Sequence, residues 1–338
     1  MRARQQTQAY SNGPPAVDAR RAMLVGALLD LDGEAPSVIS SHLATGGNSH
    51  ENWVFRVRRK GRESCLVLRC DPDDWIRPEE MEREVAGLTI AEAINVPAPR
   101  LVASHHTRRA DRPYTIVNFV EGESIPRRIH SAPNLAGARA TLAETCGAIL
   151  GKLASTPLDL ARGLQLRDPI ETLRGWYSRA EAPSPVLSGA VQWLTGSAPA
   201  AGAPSVVHGD FRLGNLIVGE DGVRAVLDWE TVHLGDPYED LAWLCQRAWR
   251  YGGAGPVAGL AELDELFAAY AGVSGAQVDV ERFRWWLVWG ASLWALVCRE
   301  QATVRRAGAG DDMECAAVAR LVCLQEANVL AELEHWVG

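Results

Sequence analysis

The run His208-Gly209-Asp210-Phe211-Arg212-Leu213-Gly214-Asn215 sets a carboxylate, a cation and an amide close together, and Asp228 follows thirteen residues after Asn215. Transfer of a phosphoryl group needs such a set: a carboxylate that orients a hydroxyl and accepts its proton, and hard oxygen ligands for a Mg²⁺ ion bridging the phosphates. Asp210 can supply the first, Asn215 and Asp228 the second. Taken alone, Asp210 reads as an ordinary turn carboxylate. The flanking stretches SVVHGD, NLIVGEDG and VRAVLDW, however, read as a strand and a hairpin with Glu220-Asp221-Gly222 as its turn. A hairpin between Asn215 and Asp228 would bring both side chains to one end of a sheet.

The elements around this segment are asymmetric. Residues 16–31 have apolar positions at helical spacing, and 37–44, 52–58 and 64–70 are short, Val-, Leu- and aromatic-rich runs that suggest a strand meander. Pro78 opens a helix with acids in its first turn and a stop at Val96-Pro97, and strands are expected at 99–104 and 113–119. From about 135 the pattern is helical, over 135–154, 168–181, 186–195, 237–250, 260–271, 279–302 and 312–334. The boundaries expected are a disordered tail at 1–15, a first lobe at 16–122 and a second at 123–338.

The chain has 338 residues, 47% of them hydrophobic, enough for about two domains with full cores. A net charge of −8 with no dense basic run argues against nucleic acid as a partner. The seven cysteines show no C-x-x-C and no histidine at metal-ligand spacing, which suits reduced thiols in the cytoplasm. The first residues lack the apolar core of a secretory signal. The most apolar stretch, 283–298, is shorter than a membrane span and contains Arg284, so no membrane is expected. Only Lys60 and Lys152 are lysines, so any site that needs one has two candidates.

H-G-D-x-x-x-x-N, followed by L-D-W-E and L-G-D-P, resembles the aminoglycoside phosphotransferase and choline kinase superfamily. The branch it looks most like includes the kinase-like domain fused to some acyl-CoA dehydrogenases. Stretches similar to LATGGNSHENWVFRV, LVLRCDP, VVHGDFRLGNLIV and AVLDWETVHLGDPYEDLAWL occur there in the same order, and here they span residues 43–244. The resemblance implies an α+β, protein-kinase-like bilobal fold: a small N-lobe antiparallel sheet with one main helix and a larger, mostly helical C-lobe. It also implies ATP and Mg²⁺ as cofactors.

Carried over by position, Asp210 resembles the catalytic base, Asn215 and Asp228 the metal ligands, and His208 the residue bracing the loop. Arg212 stands where protein kinases carry a phosphate-contacting lysine, so it either steadies the γ-phosphate or is simply solvated. Gly46, Gly47, Asn48 and Ser49 lie between two expected strands, where backbone N–H groups and a hydroxyl can approach phosphate oxygens. The superfamily's third-strand lysine is replaced by Arg69, whose planar fork stays charged and binds phosphate in a bidentate way. Glu84 resembles the acid that pairs with that cation, with Glu80 one turn earlier as the fallback. Asn118 and Val120 fall in the hinge that would meet the adenine edge. Asp236 and Asp240 read as structural acids at a helix start. Trp286, Trp289 and Arg299 are assigned mixed core and acceptor-pocket roles, with Glu230 as a further pocket candidate.

Only six residues separate Asp228 from Gly235, too few for the long segment with which a protein kinase docks a peptide. The expected partner is therefore a small-molecule hydroxyl acceptor. Beyond Glu230, Glu239 and Asp240 no acid cluster suits a polycationic aminoglycoside, and the resemblance to the dehydrogenase-associated branch implies instead a hydroxyacyl thioester or another anionic or apolar alcohol, with an aminoglycoside or other antibiotic as the alternative acceptor. A catalytically silent nucleotide-binding pseudokinase is the alternative of another class, and no Rossmann fingerprint supports an oxidoreductase.

Overall fold

Along residues 51–70 alternate positions are apolar, and Trp53, Phe55, Val57, Leu66, Leu68 and Cys70 are all buried. That period of two makes a pair of long strands with one face in a core. The computed structural model describes residues 14–44, 50–72, 76–106, 112–180, 184–306 and 313–337. They divide into two compact units, the smaller comprising 14–122 and 224–232. It contains α1 (Pro14–Asp32), β1 (Ser37–Leu43), β2 (Glu51–Arg59), β3 (Arg62–Cys70), α2 (Pro78–Ala93), β4 (Leu101–His105) and β5 (Tyr114–Asn118). Its strands form one antiparallel sheet in the order β1-β2-β3-β5-β4.

Leu24 and Leu28 of α1 pack on Trp53, Phe55, Leu68 and Ile116. A buried polar contact fixes the helix there: Arg20 Nε and Trp53 Nε1 both donate to Glu51 Oε2, each at 2.9 Å. Because side chains alternate across a strand, β3 turns Leu66, Leu68 and Cys70 to this core and Arg69 to the other face. The returning segment 224–232 packs Trp229 against α2 at Gly87, where a Cβ would lie 2.6 Å from Trp229 Cβ. Val226 N–H donates to Pro97 O at 2.8 Å, which ties the same segment to the loop before β4.

The larger unit spans 123–223 and 233–337. Its helices are α3 (Pro126–Ser131), α4 (Ala136–Ala140), α5 (Leu142–Ala154), α6 (Pro169–Arg179) and α7 (Pro185–Gly196). There follow β6 (Ser205–Val207), β7 (Leu216–Gly219), β8 (Gly222–Val226), along which the chain leaves this unit, and β9 (His233–Gly235). α8 (Tyr238–Leu244), α9 (Leu263–Ser274), α10 (Val280–Arg306), α11 (Met313–Ala319) and α12 (Val322–Val337) complete it. Among the described residues no helix is long and apolar enough to cross a membrane, and no disulfide joins the described cysteines.

Three expected helices are interrupted. The 135–154 helix breaks at Thr141, whose φ of −111° and ψ of 8° end α4 before α5 begins. The 237–250 helix stops at Leu244, because Gln246 takes ψ 139° and starts a separate 3₁₀ turn at Arg247–Trp249. The 312–334 helix is split into α11 and α12. The unit boundary also differs from a single crossing after 122, since 224–232 returns to the smaller unit to set Trp229 on α2.

α5 and α9 approach so closely that a Cβ on Gly147 would sit 2.4 Å from Leu266 O. That neighbour is backbone inside a helix and has little room to move. Gly147→Ala is therefore expected to destabilise the larger unit by about 1–3 kcal/mol, read as a lower urea midpoint with unchanged m-value.

Candidate active site

β6 is fully buried and pairs antiparallel with β9, Val207 opposite His233, and the chain leaves it directly into the loop at 208. The turn requires a left-handed residue, which Gly209 supplies with φ +84°. Two N–H groups at this turn face the interior. His208 N–H and Gly209 N–H donate to Asp240 at 2.6 and 2.9 Å, and Asp210 N–H donates to His208 Nδ1 at 3.2 Å. His208 is itself wholly buried. Accepting from a backbone N–H fixes its Nδ1 as the unprotonated nitrogen.

So held, the Asp210 carboxylate accepts three side-chain donors. Asn215 Nδ2 donates to Oδ2 at 2.7 Å and also to Asp210 O at 2.9 Å. Arg212 Nε spans both oxygens at 3.0 and 3.1 Å. Trp243 Nε1 donates to Oδ1 at 2.7 Å. The Arg212 guanidinium lies over the Trp249 ring, 5.1 Å from its centroid, and Trp249 packs on Trp243 at 5.6 Å. Gly214 gives the guanidinium room, since a Cβ there would meet Arg212 Nη1 at 2.4 Å.

Asp240 is buried and lies beside Glu239. Burial, then the neighbouring carboxylate, push its carboxyl up to about 7 against the pull of the two backbone N–H groups. Glu239 has its own partners, His233 Nε2 at 3.2 Å and Arg167 at 3.7 Å.

A second cluster lies in the smaller unit. Asp228 sits in the left-handed region, φ 69° and ψ 57°, a conformation that a non-glycine residue holds only where its surroundings impose it. Its Oδ1 accepts from Arg69 Nη2 at 2.7 Å. The same guanidinium pairs with Glu230, reaches Glu84 at 4.0 Å and contacts His50 Nδ1 at 3.0 Å. Burial opposes the Arg69 charge, but Glu84, Asp228 and Glu230 more than reverse that and raise its pKa. For Glu84 burial prevails over Arg69, and its carboxyl is raised. Burial works against the Glu230 charge too, yet the His50 hydrogen bond and Arg69 hold that carboxyl down to about 2. His50, Glu80 and Glu230 bring ligand-type atoms within 4.8 Å of one another, but Arg77 at 2.7 Å from Glu80 and Arg69 on Glu230 already neutralise the acids.

Of the sequence candidates, His208, Asp210, Arg212 and Asn215 fall together in the larger unit, and Arg69, Glu84 and Asp228 in the smaller. Glu84, not Glu80, faces Arg69. Gly46, Gly47, Asn48 and Ser49 lie outside the described residues. Asn118 N–H donates to Arg100 O at 3.1 Å and Phe119 N–H to Cys65 O at 3.0 Å, so Val120 follows directly on the last sheet contacts. Glu230 is no pocket acid, because its carboxylate is engaged by Arg69 and His50. Trp286 and Trp289 are each only 1% exposed. Their indoles donate to Asp236 at 3.0 Å and Pro169 O at 2.9 Å, which fixes both rings in the core. Trp286 does line a cavity of about 250 Å³ with Pro204, Gly235 and Arg282. Those residues mark the end of β6 and β9 opposite the Asp210 loop. Arg299 pairs with Glu326 at 3.7 Å, between α10 and α12. Asp236 accepts from Tyr238 N–H at 3.0 Å at the start of α8, as a structural acid should.

Sequence reasoning passed over His50, Trp243 and the loop-holding role of Asp240. Asp240 and Trp243 are three apart on α8, hence on one face, and both meet the Asp210 loop. That spacing was the available signal.

The match to known proteins agrees with this geometry. The model of the phosphotransferase enzyme family matches residues 43–275, and the chain belongs to that family. Mouse acyl-CoA dehydrogenase family member 10 is 28% identical over 215 residues, 59% of this chain and 20% of that protein, so the chain spans about a fifth of the relative's length. A Ralstonia eutropha protein provisionally assigned as an aminoglycoside phosphotransferase superposes with a TM-score of 0.72 at 19% identity, over 94% of this chain and 98% of the other. A thermostable variant of aminoglycoside phosphotransferase APH(4)-Ia, in ternary complex with ADP and hygromycin B, gives 0.59 at 15% identity over 93% and 99%. At such identities these likenesses establish the protein-kinase-like fold.

Two outcomes follow from the clusters. The raised carboxyl of Asp240 binds its proton more tightly folded than unfolded, so its contribution is complete below about pH 4 and is lost as pH rises through about 7. Urea unfolding between pH 4 and 8 should show that decline, and Asp240→Asn should remove it. Arg69→Met leaves Glu84 buried without its cation and should cost about 3–5 kcal/mol, measured by thermal or urea unfolding.

Proposed function

We propose that this chain is a small-molecule kinase that transfers the γ-phosphoryl of ATP to the hydroxyl of an acceptor, in a reaction requiring Mg²⁺. The observation that carries the reading is the Asp210 carboxylate, locked by Asn215, Arg212 and Trp243 on a loop whose backbone is itself held by Asp240. Asp210 would orient the acceptor hydroxyl and take its proton as the oxygen attacks the γ-phosphorus in line and ADP departs. Arg212 is the cation nearest the base and would meet the transferred phosphoryl. Arg69 would hold the α- and β-phosphates, with Glu84 fixing its orientation, and Gly46, Gly47, Asn48, Ser49, Asn118 and Val120 are proposed to contact the nucleotide.

Asn215 and Asp228, each taken by itself, are proposed as ligands for a hard cation. The Asn215 amide nitrogen is engaged by Asp210, which leaves Oδ1 as its ligand atom, and Asp228 retains Oδ2 beyond its contact with Arg69. A bound Mg²⁺ would neutralise charge on the β- and γ-phosphates.

For the acceptor, the groups on Asp210 are a guanidinium, an amide and an indole. A polycation gains no partner from them, whereas an anionic alcohol meets Arg212. A hydroxyacyl thioester or a similar alcohol is therefore preferred, in keeping with the dehydrogenase-associated relative. The second reading, antibiotic O-phosphorylation, is favoured by the structural likeness to an enzyme holding hygromycin B. A silent nucleotide-binding module would leave the donors on Asp210 without use.

ADP release over a panel of hydroxyacyl thioesters, simple hydroxy acids and aminoglycosides tests the order, and turnover of aminoglycosides alone would reverse it. Asp210→Ala should lower kcat by roughly 10²–10⁴-fold. Full activity in that variant would remove the mechanism. Thermal stabilisation by ATP should require Mg²⁺, which separates the kinase from the silent module.

A further inference from the structure

Of the three donors on Asp210, two have a second task under the proposed reaction. Arg212 carries the charge that an arriving phosphoryl would attract, and its Nε bridges both carboxylate oxygens at 3.0 and 3.1 Å, so drawing it away frees both. Asn215 is a proposed metal ligand through Oδ1, with its Nδ2 remaining on Oδ2 of Asp210. The third donor, Trp243 Nε1, is neutral, and its rigid ring is only 7% exposed. The ring is wedged against Trp249 at 5.6 Å, while Trp249 packs on Trp294 of α10 at 4.9 Å. Gly290 of α10 lies beside the ring, where a Cβ would meet Trp243 Cε3 at an ordinary 3.4 Å and would crowd Gln246 Nε2 at 2.4 Å instead. The indole thus stays in place whatever binds near the loop.

We propose that Trp243 is a positioning residue for phosphoryl transfer: its indole N–H pins Oδ1 of Asp210 and presents Oδ2 to the acceptor hydroxyl. Asp240 acts one helical turn earlier on the same face of α8, so one short helix fixes both the backbone of the loop and the rotamer of its carboxylate. Ring packing alone would not need a donor at this position. Phenylalanine keeps an aromatic ring there but is smaller and has no N–H, so a variant that restores the donor is needed to separate the hydrogen bond from the packing.

The role rests on Asp210 being the base, but the hydrogen bond can be read without turnover. In ¹H–¹⁵N spectra of the full chain, the Trp243 indole resonance, assigned by through-bond experiments and by its loss in Trp243→Phe, should lie downfield and move upfield in Asp210→Asn. With Mg²⁺·ATP and whichever acceptor turns over, Trp243→Phe should lower kcat about tenfold, with the KM for ATP unchanged. Trp243→His, which restores an N–H, should recover part of that loss.

An indole resonance indifferent to Asp210→Asn overturns the hydrogen bond. A Trp243→Phe enzyme with unaltered kcat overturns the positioning role. If no acceptor turns over while the resonance moves as expected, the kinase reading fails and the contact stands. If Trp243→Phe does not fold, the Asp210→Asn spectrum still decides the hydrogen bond, because that variant leaves the tryptophan packing untouched.

Discussion

Two adjacent backbone N–H groups, at His208 and Gly209, point into the interior where water cannot satisfy them, and the buried carboxylate of Asp240 is their common acceptor. Buried donors left unmade cost free energy outright, so this double contact decides the path of the loop. Everything on the loop follows from it. His208 is placed to accept from Asp210 N–H, Asp210 emerges toward solvent, and Asn215 closes back on both its side chain and its carbonyl. The arrangement has a cost, visible in the raised carboxyl of Asp240 beside Glu239. Stability is given up so that the loop has one conformation.

The smaller unit resolves a different problem, a guanidinium on the inward face of a sheet. A strand that buries Leu66, Leu68 and Cys70 on one side must turn Arg69 to the other, and an isolated charge there would be untenable. Three carboxylates from two separate chain segments answer it, Glu84 from α2 and Asp228 and Glu230 from the returning segment. Arginine suits the position better than lysine because its planar fork serves several acceptors at once. The departure from the superfamily's lysine therefore comes with an acid-rich surround.

Much of this was legible in the sequence because it is local. The five-residue spacing of Asp210 and Asn215 closes a single loop, and the period of two along 51–70 declares strands with one buried face. What escaped depends on tertiary context. The helix breaks at Thr141 and after Leu244 have no proline or glycine at those points to announce them. His50 is a lone histidine in sequence and gains meaning only beside Asp71, at 3.1 Å, and Glu230, at 3.0 Å. An aromatic-rich helix looks alike whether it faces a pocket or a core, so the sequence left Trp286 and Trp289 with a mixed role. The indole beside Asp210 is that of Trp243, on a helix too short to show a pattern.

The route of the chain carries a consequence for biosynthesis. Residues 224–232 supply Trp229 to the groove over Gly87 and two of the three acids around Arg69, yet they are made more than a hundred residues after the sheet they complete. Without residues 224–232 the smaller unit would lack Trp229 over Gly87 and two of the three acids around Arg69. Domains generally form as units while synthesis proceeds from the N-terminus. Here the smaller unit draws its last piece from a segment that lies more than a hundred residues beyond its sheet.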